Sequence, residues 1–386
     1  MNHKILYKDR DRPLDEGFCT GISLHSHTLH SKESVNFIKR LTQQSLFVRG
    51  LIYVHHRTRS DSPTLEGELA RLWWRPPLSA GQALHLERSQ IEEKLQMAPV
   101  VSITDHDNID APMNLQLMAR NEHVPLSLEW TAPFGATYFH IGVHNLPTKS
   151  AQKIFERLLA YREEPQLALL DELMHELAAM PGVLIVFNHP MWDQTGQGAK
   201  PHAKCVHDFI RRYREPIHAL EINGMRSVAE NQRVTKLAEE FQLPLISGGD
   251  RHGREPNAML NVTNASTFAE FADEIICDGY SRIVIMPQYR EPHLLRVIQT
   301  LGDVLDDYPD HSLGWMQWSE RFFRKQMDGS VKNFTQLFES RSKPIALRYL
   351  LKGIRIIANK KLRPAFRLAF AKSPEEVQIE RAHTAR

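Results

Sequence analysis

The sequence is poor in cysteine. Cys19, Cys205 and Cys277 are the only three in 386 residues, too far apart for a C-x-x-C motif and odd in number. They exclude a disulfide framework and a paired thiolate site, and a reducing compartment, the cytoplasm, is expected. No apolar run approaches the roughly 18 residues that a membrane-spanning helix needs, so no transmembrane segment is expected. The opening MNHKILYKDRDRPLDEG lacks the apolar core of a secretory signal. Charge of one sign is lacking too: 48 basic and 46 acidic residues leave a formal net charge of +2. Bulk charge therefore selects no partner. With 42% hydrophobic and 24% charged residues the composition is that of an ordinary globular chain. A chain of this length can bury a full core without covalent staples. Roughly 150 residues per domain allows two or three domains, or one large α/β domain.

What the sequence has in quantity is histidine, 20 residues of it. Their placement depends on the rhythm of the chain. Short apolar runs recur at Thr20–Leu24, Val100–Thr104, Pro125–Glu129, Tyr138–Val143, Gly182–Phe187, Ile217–Ile222, Pro244–Ser247 and Arg282–Met286. Most are rich in β-branched residues or Leu and are bounded by polar residues, as buried parallel strands are. Between them lie helical patterns. Leu170, Leu173, Met174 and Leu177 follow the i, i+3, i+4, i+7 spacing, and Val234, Leu237, Ala238 and Phe241 repeat it. Segments 80–96 and 268–277 are helical in pattern as well. Strands alternating with helices predict βαβ units, and seven or eight strands favour a barrel over a fanned sheet. Residues 35–78 break the rhythm as an insertion after the first strand, and the chain after about Glu291 reads as helical with no further strand.

Imidazoles and carboxylates fall at or near the ends of these runs. His25, His27 and Glu33 follow the first, His106 follows VVSIT, and Glu129 ends SLE. His140 sits in YFHIGVH, His189 follows GVLIVFN, and Asp250 and His252 follow PLISGG. In a strand, residues i and i+2 point the same way, so His25 with His27, and Asp250 with His252, can each grip one ion. The carboxyl ends of parallel barrel strands meet at one rim, which would gather ligands spread over 228 positions. Imidazole with carboxylate and no thiolate suits Zn, Mn or Fe. Nine candidates exceed what one ion takes and imply two or three divalent ions. Clustered ions acidify water and clamp a phosphate, which is hydrolysis chemistry.

The ordered motifs resemble those of the PHP (polymerase and histidinol phosphatase) family. The resemblance lies in His25-x-His27-Thr28 with Ser31, Thr104-Asp105-His106-Asp107, Glu129 with His140, Asn188-His189-Pro190, and Gly248-Gly249-Asp250-Arg251-His252. In the last motif Gly249 stands where the family has Ser. The match covers roughly residues 20–255. It implies a distorted (β/α)7 barrel with a trinuclear metal site, Glu129 bridging two ions and Asp105 orienting a ligand. Glu33 and Lys32 compete for one ligand position. It also implies phosphoester hydrolysis by a metal-bridged hydroxide attacking phosphorus, with His189, Asp250 or a metal-bound water giving the leaving oxygen its proton. The substrate would be a small phosphomonoester, a nucleotide or a nucleic-acid end. Arg226, Asn223 and Arg251 are the candidate phosphate-binding residues, the arginines because a planar guanidinium matches two phosphate oxygens.

The expected organisation is a barrel over residues 1–290 and a basic helical extension over 291–386. From Arg341 to Lys372 there are ten Lys or Arg and no Asp or Glu. Leu347, Leu350, Leu351 and Ile354 form an apolar stripe opposite Arg348, Lys352 and Arg355. Such a helix either packs on the barrel or contacts a polyanion, nucleic acid or anionic membrane. Trp73 and Trp74 serve either as core and lid or as a base-stacking platform. A non-catalytic metal-bound module recruiting partners through insertion and tail is the alternative to an enzyme.

Overall fold

The computed structural model describes residues 3–8, 14, 17–35, 67, 69–118, 121, 123–339, 345–370 and 377. Most of the expected insertion, including LIYVHH and nearly all of the loop after it, lies outside the described residues, as do 341–344, 371 and 372 of the basic tail.

Two five-stranded sheets form the body of this mixed α/β chain. The first contains β1 (His3–Tyr7), β2 (Thr20–Ser23), β5 (Ala98–Val101), β11 (Met259–Thr263) and β12 (Ser281–Ile285), in the order β1-β12-β11-β2-β5. The second contains β6 (Leu128–Phe134), β7 (Thr137–His144), β8 (Leu184–Asn188), β9 (Ala219–Asn223) and β10 (Leu245–Gly248), in the order β10-β9-β8-β7-β6. Helices pack over them where the sequence spacing predicts. Ala80–Leu95 starts at a Ser79 capping box closed by Gln82, and Val228–Phe241 at one formed by Ser227 and Glu230. The stripe Leu170, Leu173, Met174 and Leu177 is buried along helix Leu167–Ala178.

The strands are not all parallel, and the described residues show no closed barrel. β6 and β7 form an antiparallel hairpin over Gly135 and Ala136, and β7 pairs antiparallel with β8. Two residues cannot carry a crossover, so the two runs must run antiparallel, and Gly135 takes the left-handed φ of 60° that such a turn asks for. β11 has no counterpart among the expected strands and pairs antiparallel with both β2 and β12. Its apolar run is broken by Asn261, whose amide reaches across to β10. Ser247 N donates to Asn261 Oδ1 and Asn261 Nδ2 donates to Ser247 O, both at 2.8 Å. A side chain thus does between the sheets what a peptide does within one. Isolated parallel bridges join the sheets at Ser26–Arg251 and His106–Glu129.

A third sheet, order β14-β13-β4-β3, caps the cleft side with β3 (Glu33–Ser34), β4 (Leu72–Trp74), β13 (Phe322–Lys325) and β14 (Val331–Asn333). The region after Glu291 therefore contains strands as well as helices. Its hairpin turns at Asp328-Gly329, with Gly329 at φ 83°. Trp73 stacks on Phe323 and the buried Trp74 on Phe322, so both tryptophans belong to this sheet's packing.

Candidate metal centre

Short strand extensions gather the nine candidate ligands. His25 and His27 follow β2, where His27 N donates to Arg251 O at 2.8 Å. Thr28 donates through its backbone N and its hydroxyl to the two carboxylate oxygens of Asp105, which closes the turn after His27. Asp105 thus binds backbone rather than facing the cluster. Glu33 enters from β3 and Glu129 from β6, while His140 stands in the middle of β7.

Three groups of ligand atoms converge: His25, His27 and Glu129; His27, Glu33 and His252; His106, Glu129 and His140. In the first, His25 Nε2 lies 3.1 Å from His27 Nε2 and 3.1 Å from Glu129 Oε2, and His27 Nε2 lies 3.4 Å from that oxygen. In the second, Glu33 Oε2 is 3.3 Å from His252 Nε2 and Glu33 Oε1 is 3.5 Å from His27 Nδ1, while Glu33 Oε2 also reaches His106 of the third group at 3.4 Å. In the third, Glu129 reaches His106 Nδ1 and His140 Nδ1 at 3.2 Å each. Ligands about 2.0–2.1 Å from a tetrahedral ion sit about 3.3 Å from one another. The donor set and its edges therefore fit divalent ions. Glu129 is common to two groups and also meets His189 Nε2 at 3.1 Å. Asp250 closes the floor, 3.4 Å from His27 Nε2. Glu33, rather than Lys32, faces the cluster; the Lys32 ammonium lies over the Trp73 ring at 4.5 Å.

Electrostatics follow from burial. Burial pushes His27 down to about 4 and His140 down to about 3. Burial would do the same to His106, but Glu129 and Glu33 outweigh it and raise the ring to about 10. Likewise, against burial, Glu129 and Glu221 hold His25 well above its ordinary value. Burial would raise Glu129 and Glu33, yet the imidazoles around them hold both well below the usual carboxylate range. The carboxylates thus favour positive charge beside them. Three residues here take left-handed backbone: His189 at φ 29°, Asp107 at φ 48° and Asp250 at φ 54°.

Not every expected phosphate contact faces the cleft. Arg226 does: its guanidinium lies flat on Trp192, 3.3 Å from the ring centre, and Nη2 donates to Asp250 Oδ2 at 2.9 Å. Arg251 turns the other way. It is buried, donates to Gly253 O and Arg254 O, and lies 3.5 Å from Glu87. Its carbonyl meanwhile accepts from His27 N, so the residue between Asp250 and His252 joins the segments behind the cluster instead of entering the cleft. Asn223 is fully buried, donates to Glu221 Oε2 at 3.1 Å and accepts from Met225 N. It buttresses the site from behind.

Glu221 is the functional candidate that the motifs miss. Its Oε1 accepts from His25 Nδ1 at 2.7 Å and its Oε2 accepts from His189 N at 2.9 Å. Because a carboxylate only accepts, His25 Nδ1 carries a proton and Nε2 is aimed at the cluster. The signal was present: ALEIN buries a lone carboxylate in an apolar strand, as SLEW does at Glu129. A Cβ at Gly248 would meet Glu221 Oε1 at 1.6 Å, and one at Gly249 would meet Asn257 Oδ1 at 2.0 Å. The Gly-Gly pair is therefore required by the side chains behind it. Glu221→Gln is expected to weaken Mn affinity about ten-fold or more, the usual cost of losing such support. Chelator competition measures this, and an unchanged affinity in the folded variant would count against the assignment.

No protein-family model matches this chain, and no curated protein matches it. Solved structures resemble it weakly. PsfC from Pseudomonas syringae is 17% identical over 70% of this chain and 93% of its own, with a TM-score of 0.39. A two-domain Bacteroides vulgatus protein containing a predicted PHP-like metal-dependent phosphoesterase is 14% identical over 51% of this chain and 58% of its own, with a TM-score of 0.35. An amidohydrolase from Chromobacterium violaceum is 13% identical over 46% of this chain and 83% of its own, with a TM-score of 0.32. At such scores the functional reading rests on the chain's own residues.

Proposed function

We propose that this chain is a metal-dependent phosphoesterase of PHP type, its strands forming a distorted (β/α)7 arrangement around a site for two or three divalent ions (Mn, Zn or Fe). The observation that carries the reading is the overlap of three His–carboxylate groups through His27 and Glu129 beside a stacked arginine. His25, His27, Glu33, His106, Glu129, His140, His189, Asp250 and His252 would hold the ions. When bound, the ions supply an acidified water and neutralise phosphoryl charge.

The remaining work falls to side chains. Arg226, flattened on Trp192 and tied to Asp250, presents its fork to phosphate oxygens without having to be ordered first. Asp250 already accepts from Arg226, so His189, whose Nε2 lies 3.1 Å from Glu129 Oε1, is left either to hold an ion or to give the leaving oxygen its proton, but not both at once. The cleft above the cluster has a volume of about 770 Å³, room for a phosphorylated small molecule or the end of a nucleic-acid strand. Its far wall is apolar, built from Met225, Leu294, Val297 and Leu301.

The test is a panel of phosphorylated metabolites and 5′- or 3′-phosphorylated oligonucleotides. Hydrolysis is expected to vanish with EDTA and return with Mn, in protein that carries about two to three equivalents of metal when purified without chelator. Full metal loading without turnover on any phosphoester would overturn the catalytic reading and leave the recruiting module in its place.

A further inference from the structure

The helix Ile345–Ala358 has two unlike faces. Leu347, Leu351 and Ile354 pack into an apolar cluster with Val304, Leu305 and Trp318. Ala358 continues that face and lies so close to Gly302 that a Cβ there would meet the alanine at 2.1 Å. Opposite them, Arg348, Lys352 and Ile356 follow the i, i+4, i+8 spacing, all exposed, with Tyr349 beside them 65% exposed. The following turn and short helix add Lys361, Leu362 and Leu368, the last 91% exposed. An open groove of about 520 Å³ lies at the edge where the two faces meet, with Trp318 and Leu351 on its inner side and Arg348, Lys352, Ile356 and Leu362 on its outer side.

Residues 345–370 contain seven Lys or Arg and no acid, in a chain whose total charge is only +2. Four of the seven have partners: Arg355 donates to Leu305 O, Arg363 and Lys360 pair with Glu255, and Arg367 pairs with Glu291. Arg348, Lys352 and Lys361 stand on the outside with the exposed aliphatics among them.

We infer that this face docks the protein onto an anionic lipid bilayer. Phosphate headgroups match the outward cations, and the headgroup–acyl boundary accepts Ile356, Leu362 and Leu368, for which a nucleic-acid backbone offers no counterpart. No helix among the described residues is long and apolar enough to cross a membrane, so the contact is peripheral. The opposite face remains packed on helix His293–Val304, one side of which lines the cleft. Docking therefore needs no unfolding, and it holds whatever reaction the cleft performs.

Co-sedimentation of the full chain with vesicles tests this. Binding is expected to vesicles that are about one third phosphatidylglycerol, not to pure phosphatidylcholine, and should fall steeply with salt. Arg348→Ala and Lys352→Ala should each weaken it about five-fold, and Leu368→Ser about ten-fold. All three positions are exposed, and an unchanged circular dichroism spectrum confirms the fold. Equal binding to both vesicle types, binding to neither, or indifference to all three substitutions overturns the proposal. So does tight binding of an oligonucleotide at a salt concentration where anionic vesicles are not bound.

Discussion

Glu129→Ala is expected to lower phosphoester turnover by more than about 1,000-fold and to strip most of the bound metal. Both oxygens of this fully buried carboxylate are in use. Oε2 meets His25, His27 and His106, while Oε1 meets His140 and His189 and accepts from Asn188 Nδ2 at 3.0 Å. Substituting a residue that merely supports a ligand commonly costs about 10–100-fold; removing a charge shared by two ligand groups should cost more. The alanine also leaves five imidazoles around a hole with no counter-charge, so the rings would repel one another if protonated. Glu129→Gln separates the two effects, because it keeps the volume and removes the charge. Elemental analysis beside single-substrate kinetics reads both quantities. Wild-type metal content and turnover in either variant would sink the shared-carboxylate role. Glu33, which belongs to one group rather than two, should cost less on removal.

Ending the chain at residue 344 is the second large perturbation, and precipitation is its expected outcome. The deletion uncovers the surface that Leu347, Leu351 and Ile354 cover against Val304, Leu305, Trp318 and Phe322. Leu351 is buried and the other two are partly so; at about 1.5–3 kcal/mol for a fully buried aliphatic side chain, the three together contribute a few kcal/mol, a large share of the roughly 5–15 kcal/mol that holds a typical domain folded. It also unpairs Glu255 and Glu291, each of which loses an arginine partner. Sedimentation and a thermal melt of the truncated protein decide the matter. A soluble monomer melting with the full chain would mean that the helix is an appendage.

The helices and most strands were legible because their signals are local. Leu170–Leu177 and Val234–Phe241 display one apolar stripe each, and Ser79 and Ser227 mark the starts of two helices. The residues that converge in the three groups were legible because reactive residue types fall at or near the ends of apolar runs. Strand direction was not, since period-two alternation is the same in parallel and antiparallel pairs. The two-residue turn at Gly135-Ala136 emerges only because the observed strands extend past the apolar runs, to Phe134 and from Thr137. β11 was missed because Asn261 interrupts its run, and that residue's partner lies in the other sheet. Arg251 was counted as a phosphate contact for its chemistry alone, and the left-handed turn at Asp250, which nothing local announces, leaves its side chain toward Glu87. Glu221 was passed over because it belongs to no recognised motif, although it binds the backbone of His189 and the ring of His25.

The left-handed backbone at His189 and Asp250 bears on how such a chain can evolve. Glycine would relieve about 1–3 kcal/mol of strain at either position, so drift toward a more stable fold points to glycine at both. Glycine has no donor atom, and each such step would delete a candidate ligand. The substitutions most welcome to the scaffold are thus the ones most damaging to the site. A lineage released from the need for this chemistry should lose these two residues early, while the helix stripes and capping serines persist. Relatives in which both positions have become glycine while the stripes remain would be recognisable as retired enzymes.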